Sequence, residues 1–386
     1  MLHKLGLGVL SVGSAYLFCA VTPAAAQESP SMFAGLQTAY KDRVFWRLNT
    51  VYTNTKTTSR DAYDVTGKVV ELAGLRSMLN AMPAGNNSGT ADQRVQYRLK
   101  LQYSQAISEL EASVPRDQPG DAVAGLGTPP GIKARAGNGG TLALSVGVFL
   151  DESKHWASEA LLLGLPLNVS VYGDGVTPTG HPNGLNGQKI ITTKLLPPTL
   201  LLGRYFGDQN ASIRPYAGVG AMYAIFFDTK ASDALNAYQG GASSGDTTVS
   251  IKNAFGVGPF LGVQAKLGGG WHASFNVGQV RLKTQATLIT RNTTITSQTA
   301  VTKDYGPNIN AAIETGNSFD AQTVGGQPLY PNGFTTRLMS DYANYKANGT
   351  VPGPGVSGTA TLGTFVRKQD TVLDNTIMML SIGREF

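Results

Sequence analysis

The stretch NAFGVGPFLGVQAKL, residues 253–267, alternates between two kinds of side chain along its length. Its odd positions carry large apolar residues such as Phe255, Val257, Leu261 and Val263, whereas its even positions are mostly glycine, alanine or polar. A period of two is typical of a β-strand whose two faces meet different surroundings. In a transmembrane barrel one face meets lipid and the other meets the lumen, so the stretch predicts a strand of such a barrel.

Other segments share this alternation. Residues 141–150 and 215–227 repeat it clearly. Weaker candidates bring the predicted total to about eight strands: 44–55, 156–169, 190–206, 271–286 and 375–386. Because an even strand number is typical of single-chain bacterial barrels, we predict an all-β protein, an eight-stranded antiparallel transmembrane β-barrel.

The connections between these strands alternate between short and longer ones. The first and last are very long, at about residues 56–140 and 291–373. In such barrels short turns lie in the periplasm and longer loops outside the cell, so we predict two long extracellular insertions and periplasmic termini. Residues 69–82 have helical spacing, and residues 95–114 fit a second helix or an extended hairpin. The last insertion is rich in Asn, Gly, Thr and Pro and is predicted to be irregular.

Residues 1–26 have the pattern of a signal peptide. Lys4 precedes an apolar run from Leu5 to Val21, and Ala24-Ala25-Ala26 offers a cleavage site. A membrane anchor is the alternative, but glycines interrupt the run and no basic stop follows it. We therefore expect an exported chain whose barrel occupies residues 27–386, without thiols because the only cysteine is Cys19.

The net charge and the few histidines limit the kinds of binding and catalytic site that the sequence can contain. The formal net charge of +6 is spread without a basic run, so no nucleic-acid partner is indicated. His155, His181 and His272 lack metal-ligand spacing, and they do not combine with serine and aspartate into a recognisable catalytic motif. We expect no metal, no cofactor and no enzymatic activity.

Trp46, Trp156 and Trp271 are the only tryptophans, and each begins a predicted strand on its lipid-facing side. Tryptophan is enriched where a barrel meets the membrane–water interface. We predict a periplasmic aromatic girdle of these three residues, joined by Tyr205 and Phe386. Buried aromatics of a soluble sandwich are the alternative, but a sandwich does not explain the alternation of loop lengths.

The residues predicted to face the lumen differ between the two ends of the barrel. Near the periplasmic end opposite charges recur, which predicts a salt-bridged polar plug of Arg47, Glu159, Arg204, Lys266 and Glu385. Toward the exterior the inward positions become apolar and predict a hydrophobic lumen: Leu163, Leu165, Met222, Phe226, Val280 and Leu282. A barrel of about eight strands has room for side chains or one small ligand. A core filled by side chains, without cargo, stays open as the alternative.

Pro197 and Pro198 interrupt one predicted strand. Two successive prolines remove two backbone donors from the hydrogen-bond ladder and leave a local gap in a closed sheet. We predict a lateral opening there; a simple bend near the membrane edge is the alternative.

Several segments resemble the outer membrane protein W (OmpW) family. The resemblance lies in LLPPTLLLGRYF (195–206), RPYAGVGAMY (214–223), FFD (226–228), WASE (156–159), Leu373-Asp374 and the final Phe386. It covers strands and short turns and neither long insertion. The family usually ends Tyr-Arg-Phe, whereas this chain ends Arg384-Glu385-Phe386, which weakens the expected C-terminal assembly signal.

The resemblance implies an eight-stranded barrel with a hydrophobic lumen and a lateral opening near the paired prolines. Its implied partners are outer-membrane lipid, a small hydrophobic solute, and the barrel-assembly machinery, which would recognise Phe386. The first functional hypothesis is passive entry of small hydrophobic molecules with lateral exit into the membrane. The second is a structural or surface-interaction barrel whose long loops bind a partner.

Overall fold

The computed structural model describes residues 42–67, 69–113, 133–164, 166–175, 184–313, 323–324, 327–328, 330, 333–353 and 360–386. The predicted signal peptide lies outside these residues, and so does Leu165. The strands in chain order are β1 (Val44–Ser59), β2 (Tyr63–Asp64), β3 (Lys133–Ala136), β4 (Gly139–Phe149), β5 (Trp156–Leu163), β6 (Leu167–Asp174), β7 (Lys189–Leu196), β8 (Thr199–Tyr205), β9 (Ile213–Ala231), β10 (Thr247–Ile251), β11 (Ala254–Gly268), β12 (Trp271–Thr290), β13 (Thr323–Val324), β14 (Gln327–Pro328) and β15 (Phe365–Glu385). The helices are α1 (Leu72–Ala81), α2 (Ala91–Ser113), α3 (Asp233–Tyr238), α4 (Ala300–Ile313) and α5 (Phe334–Asn348).

Eight antiparallel strands pair in a circuit that returns to its start, here called the ring. Its order is β1, β4, β5, β8, β9, β11, β12 and β15, and β15 pairs again with β1 over Phe45↔Glu385 to Ser59↔Thr371. The protein is therefore mostly β, which agrees with the predicted all-β class except for the helices. Two of the predicted strands are each broken in two, into β5 and β6 and into β7 and β8.

The two faces of the ring strands differ as the period of two predicts. On β11, Phe255 and Leu261 are each 62% exposed, whereas Gln264 on the other face is buried. On β4, Leu142 and Leu144 are exposed, whereas Ser145, the residue after Leu144, is buried. The outer face is thus an apolar band, since exposed large apolar side chains are frequent on it, and the polar residues turn inward.

The two predicted insertions are shorter than their predicted bounds, and both contain helices. The first lies between the end of β1 at Ser59 and the start of β4 at Gly139, and the last between Thr290 and Phe365. The predicted helix at 69–82 is α1, and of the two alternatives for 95–114 the helix is found, as α2. The composition of the last insertion, for example over residues 349–359, indicates irregular or mobile chain, but α4 and α5 lie elsewhere in this insertion.

Helices from both insertions share one apolar core, here called the cap. Leu75, Leu99, Leu110 and Leu338 are each 0% exposed within it. The core also takes in Phe365, the first residue of β15, so the cap is anchored on the ring. Among the described helices, none is long and apolar enough to cross a membrane.

Candidate functional site

One end of the ring, here called the girdle end, carries the three tryptophans. All three point outward and are partly exposed, and the rings of Trp46 and Trp271 lie 5.9 Å apart. Phe386 is exposed beside them, and its N–H donates to the Val44 carbonyl at 3.0 Å. Tyr205 was predicted to join them but is only 2% exposed and points inward.

Inside the girdle end, an ion pair lies at the centre of a polar network, here called the floor. Arg47 Nη1 lies 2.6 Å from Glu159 Oε2, and the two residues are 1% and 6% exposed. Arg47 Nη2 donates to Tyr205 Oη and to Gln264 Oε1, both at 2.8 Å, and its Nε donates to His272 Nε2 at 3.1 Å. Four strands, β5, β8, β11 and β12, thus supply partners to one guanidinium group carried by β1, which joins the walls of the ring across its interior.

Further hydrogen bonds fill the same cross-section. Ser145 Oγ donates to Glu159 Oε1 at 2.5 Å, and Asn49 Nδ2 donates to Ser145 Oγ at 3.0 Å. The rings of Tyr205 and Tyr216 stack with centroids 4.7 Å apart. Buried polar groups that hydrogen-bond one another favour a rigid layer, so the floor places a network of side chains across the interior of the ring.

Two of the five predicted plug residues lie elsewhere. Arg204 is exposed on the outer face, where its guanidinium carbon lies 5.7 Å from the centre of the Trp156 ring. Leu200 and Leu202 face outward and Leu201 faces inward, so both faces of β8 carry apolar residues. The sequence pattern therefore does not show which face of β8 points to the interior. Lys266 is exposed at the rim, where Nζ donates to the Gln209 carbonyl and not to a carboxylate.

Glu385 lies at the edge of the floor. It forms an ion pair with Lys154 at 2.9 Å and accepts a longer hydrogen bond from Gln264 Nε2 at 3.4 Å. Sequence reasoning missed Gln264, His272 and Tyr205 as ligands of Arg47. His272 was predictable, because it follows the outward-facing Trp271 and must point inward.

An apolar cavity lies in the ring on the cap side of the floor. It consists of two adjoining pockets of about 50 and 60 Å³ that share Thr53, Leu167, Pro197, Met222 and Ile377. Asn276, which lines the lower pocket, donates to Tyr216 Oη at 3.2 Å and so connects the cavity to the floor. A water needs roughly 10–15 Å³ of such space, so the cavity suits a small solute and not a wide column of water.

Four of the six predicted lumen residues line this cavity. Met222 borders both pockets, Phe226 and Leu282 border the upper one, and Val280 borders the lower one. Leu163 is paired with Ala143 in the sheet, but its side chain lies outside what the structure describes, as does Leu165 altogether. From that part of the chain, Leu161, Leu167, Asn168 and Val169 line the cavity.

The wall beside the cavity has an interruption next to the two prolines. The β5–β8 pairing ends at Leu161↔Thr199 and the β6–β7 pairing ends at Leu167↔Leu195. Between these two ladders, five residues on one side lie opposite three residues on the other. The strand pairing therefore cannot continue in one register from one ladder to the next. The flanking residues Leu161, Leu167, Leu195 and Thr199, together with Pro197, line the cavity.

On the other edge of the prolines the sheet is continuous. Leu196 pairs with Ile225 and Thr199 with Met222, which is the same register on both sides of the break. Tyr223 N–H donates to the Pro198 carbonyl at 3.0 Å, so β9 runs past the prolines without a shift. Proline lacks a donor but keeps its acceptor. The Pro198 carbonyl is used toward β9, whereas the Pro197 carbonyl accepts a hydrogen bond from Thr199 Oγ1 at 2.9 Å.

Within the described residues, no three His, Cys, Asp or Glu side chains come together as a metal-binding group.

Comparison with known proteins identifies the family of the chain. The family model described as the OmpW family matches residues 109–309. Outer membrane protein W of Salmonella typhimurium (strain LT2) is 33% identical over 120 residues, which are 31% of this chain and 54% of that protein. Outer membrane protein W of Escherichia coli (strain K12) is 30% identical over 156 residues, 40% of this chain and 70% of that protein. The chain thus spans about half the length of the first of these relatives.

The crystal structure of outer membrane protein OprG from Pseudomonas aeruginosa can be superposed with a TM-score of 0.46 at 16% identity, over 90% of this chain and 97% of that one. The family model covers more than half of the chain, and the relatives are outer membrane proteins by name. The chain therefore belongs to the OmpW family and is a β-barrel protein of the bacterial outer membrane.

Proposed function

We propose that the ring is the wall of an eight-stranded transmembrane barrel with both insertions outside the cell, and that it mediates passive entry of small hydrophobic molecules. A solute enters the apolar cavity from the cap side and leaves sideways into the membrane beside Pro197 and Pro198. One observation carries this proposal: the residues that flank the interruption in the wall also line the apolar cavity.

The outer face supports the transmembrane wall. Exposed Leu142, Val257, Leu261 and Leu380 form part of an apolar band that would be costly to keep in water. The tryptophans lie at one end of that band, where side chains with an apolar body and a polar N–H are favoured at a membrane surface.

The cavity lining supports an apolar solute. Met222, Phe226, Leu282 and Ile377 offer carbon surface, and burying such surface is worth roughly 25 cal/mol per Å². The floor supports a sideways exit, because a solute moving straight on would have to displace the buried Arg47–Glu159 pair. Breaking a buried pair costs about 3–5 kcal/mol, and a solute already buried in the apolar cavity gains no further apolar burial in the polar floor to offset this cost.

A cavity-filling variant tests the binding step. We expect Met222→Trp to slow the transfer of an apolar fluorophore into vesicles at least severalfold, since Met222 borders both pockets. Met378→Trp is the matched control, because Met378 is 39% exposed on the outer face. Equal transfer by parent, control and Met222→Trp would overturn the proposed path.

A second measurement tests the exit. If the floor is closed, vesicles that contain the protein should not swell in small sugars, although they take up the apolar fluorophore. Rapid swelling in sugar would show an aqueous pore through the floor and contradict the lateral route.

The cap favours one alternative function, a surface-interaction barrel. A folded helical body with its own core, which includes Leu99 and Leu338, presents a stable surface to a partner. Replacing residues 61–132 with a short Gly-Ser linker would remove α1 and α2 and disrupt the cap. Loss of a surface phenotype with unchanged solute transfer would favour the alternative, and the reverse result would favour passive entry.

A further inference from the structure

Two arginines face outward at the girdle end, each next to apolar outward residues of its own strand. Arg204 follows the exposed Leu200 and Leu202 on β8, and Arg384 follows Leu380 and Ile382 on β15. In the ring order, four strand steps separate β8 from β15 in either direction, so the two arginines lie on opposite sides of the ring.

Each arginine has a girdle tryptophan as its direct cross-strand neighbour. Arg204 lies opposite Trp156, and Arg384 lies between Trp46 and Trp271 on the two adjacent strands. The guanidinium carbons lie 5.7 Å from the centre of the Trp156 ring and 5.9 Å from the centre of the Trp271 ring. A guanidinium group beside an indole is held in place by cation–π attraction while its N–H donors stay free.

Neither arginine forms an ion pair within the described part of the chain, whereas other arginines do. Arg281, toward the cap end on β12, lies 3.4 Å from Asp374, and the buried Arg47 has Glu159. The outward charges at the girdle end therefore have no carboxylate to neutralise them. An arginine at the edge of a membrane extends its cation to the headgroup level.

We propose that the two Trp–Arg pairs bind the phosphate headgroups of anionic phospholipid in the leaflet at the girdle end. The planar guanidinium matches two phosphate oxygens, and the neighbouring indole packs on the start of the acyl chain. This inference rests on the proposed transmembrane wall. Each site would enrich anionic lipid about fivefold, the effect of roughly one basic residue at an anionic surface.

Tryptophan fluorescence tests the proposal directly, because all three tryptophans belong to the girdle. The full-length protein is placed in phosphatidylcholine vesicles that contain a small, equal fraction of acyl-brominated phosphatidylglycerol or acyl-brominated phosphatidylcholine. Bromine quenches tryptophan at short range, so enriched anionic lipid should quench more than the neutral lipid does.

Single variants separate the two sites. Arg384→Gln should remove more of the difference than Arg204→Gln, because Arg384 neighbours two tryptophans and Arg204 one. Arg204→Gln/Arg384→Gln should abolish it, while the control Arg281→Gln should retain it. Equal quenching by both lipids in the parent, or an unchanged difference in the double variant, would overturn the headgroup sites. Absence of quenching by either lipid would instead contradict the transmembrane wall.

Discussion

Arg47 and Glu159 form a buried ion pair at 2.6 Å that joins β1 to β5 across the interior of the ring. These strands are not neighbours in the sheet, since β4 lies between them. The pair therefore ties the wall together by a connection independent of the backbone ladder. Tyr205, Gln264, His272 and Ser145 supply further hydrogen bonds to the two charged groups.

Removing one partner of this pair should cost more than removing both. Arg47→Met leaves the Glu159 carboxylate buried without its cation, and we expect a loss of about 3–5 kcal/mol in the free energy of unfolding. Arg47→Met/Glu159→Leu should lose less than the sum of the single variants. Urea unfolding in vesicles, followed by electrophoretic mobility, measures all three. Additive losses would show that the pair is not coupled.

Close backbone approach makes Gly258 sensitive to any side chain. A Cβ there would lie 1.6 Å from the Gln279 carbonyl oxygen on β12, which no rotamer can relieve. Gly258→Ala should therefore sharply reduce the folded fraction after refolding into detergent. Gly140→Ala is the matched control, since its Cβ would meet the Val51 carbonyl oxygen at an ordinary 3.5 Å. A normally folded Gly258→Ala protein would contradict this prediction.

The cap should lose stability separately from the ring. Leu338 is 0% exposed in the cap core, and Leu338→Ala should cost the cap about 2–5 kcal/mol. Leu101, 50% exposed on α2, is the control position. Limited proteolysis should cut the insertions of Leu338→Ala faster than those of Leu101→Ala, while heat-dependent gel mobility of the ring stays unchanged. A simultaneous loss of the ring would show one cooperative unit.

The docking of α4 should depend on pH through Asp304. Burial raises the pKa of Asp304 above its ordinary value of 3.8, although its carboxylate accepts hydrogen bonds from Tyr238 Oη and from Gly184 N–H, the latter at 3.0 Å. The folded state thus holds this proton more tightly than the unfolded state. This contribution to stability is greatest below the unfolded value and is lost as pH rises through the raised pKa.

Asp304→Asn removes that titration. The variant should be at least as stable as the parent at pH 7 and should show a flatter profile above pH 4. Proteolysis of the last insertion across this range, parent against variant, gives the comparison. Identical profiles would mean that Asp304 does not titrate in this window.

Regular alternation made the ring strands predictable. The range 253–267 corresponds to β11, and inward-facing Arg47 and Glu159 followed from the same rule. The rule failed on β8, where Leu200, Leu201 and Leu202 remove the contrast between the faces and Arg204 was placed on the wrong one.

The long-range packing of the cap could not be predicted from local sequence patterns. Helical spacing indicated α1, but nothing local indicates that Tyr103 donates to Asp341 Oδ2 at 2.6 Å across 238 residues of chain. Such contacts depend on which loops the ring brings together. They follow from the pairing of the strands and not from the composition of the insertions.

The cap also bears on the order of assembly. The first insertion leaves the ring at the end of β1 and the last re-enters it at the start of β15, and these strands pair with each other up to Ser59↔Thr371. Before that pairing, packing of the cap core must bring together helices separated by more than two hundred residues, with a large loss of chain entropy. After the pairing, most of this entropy has already been lost, because the strands hold the ends of both insertions together. We therefore expect the cap helices to pack together after the first and last strands have paired, and the packed cap to slow the separation of those strands.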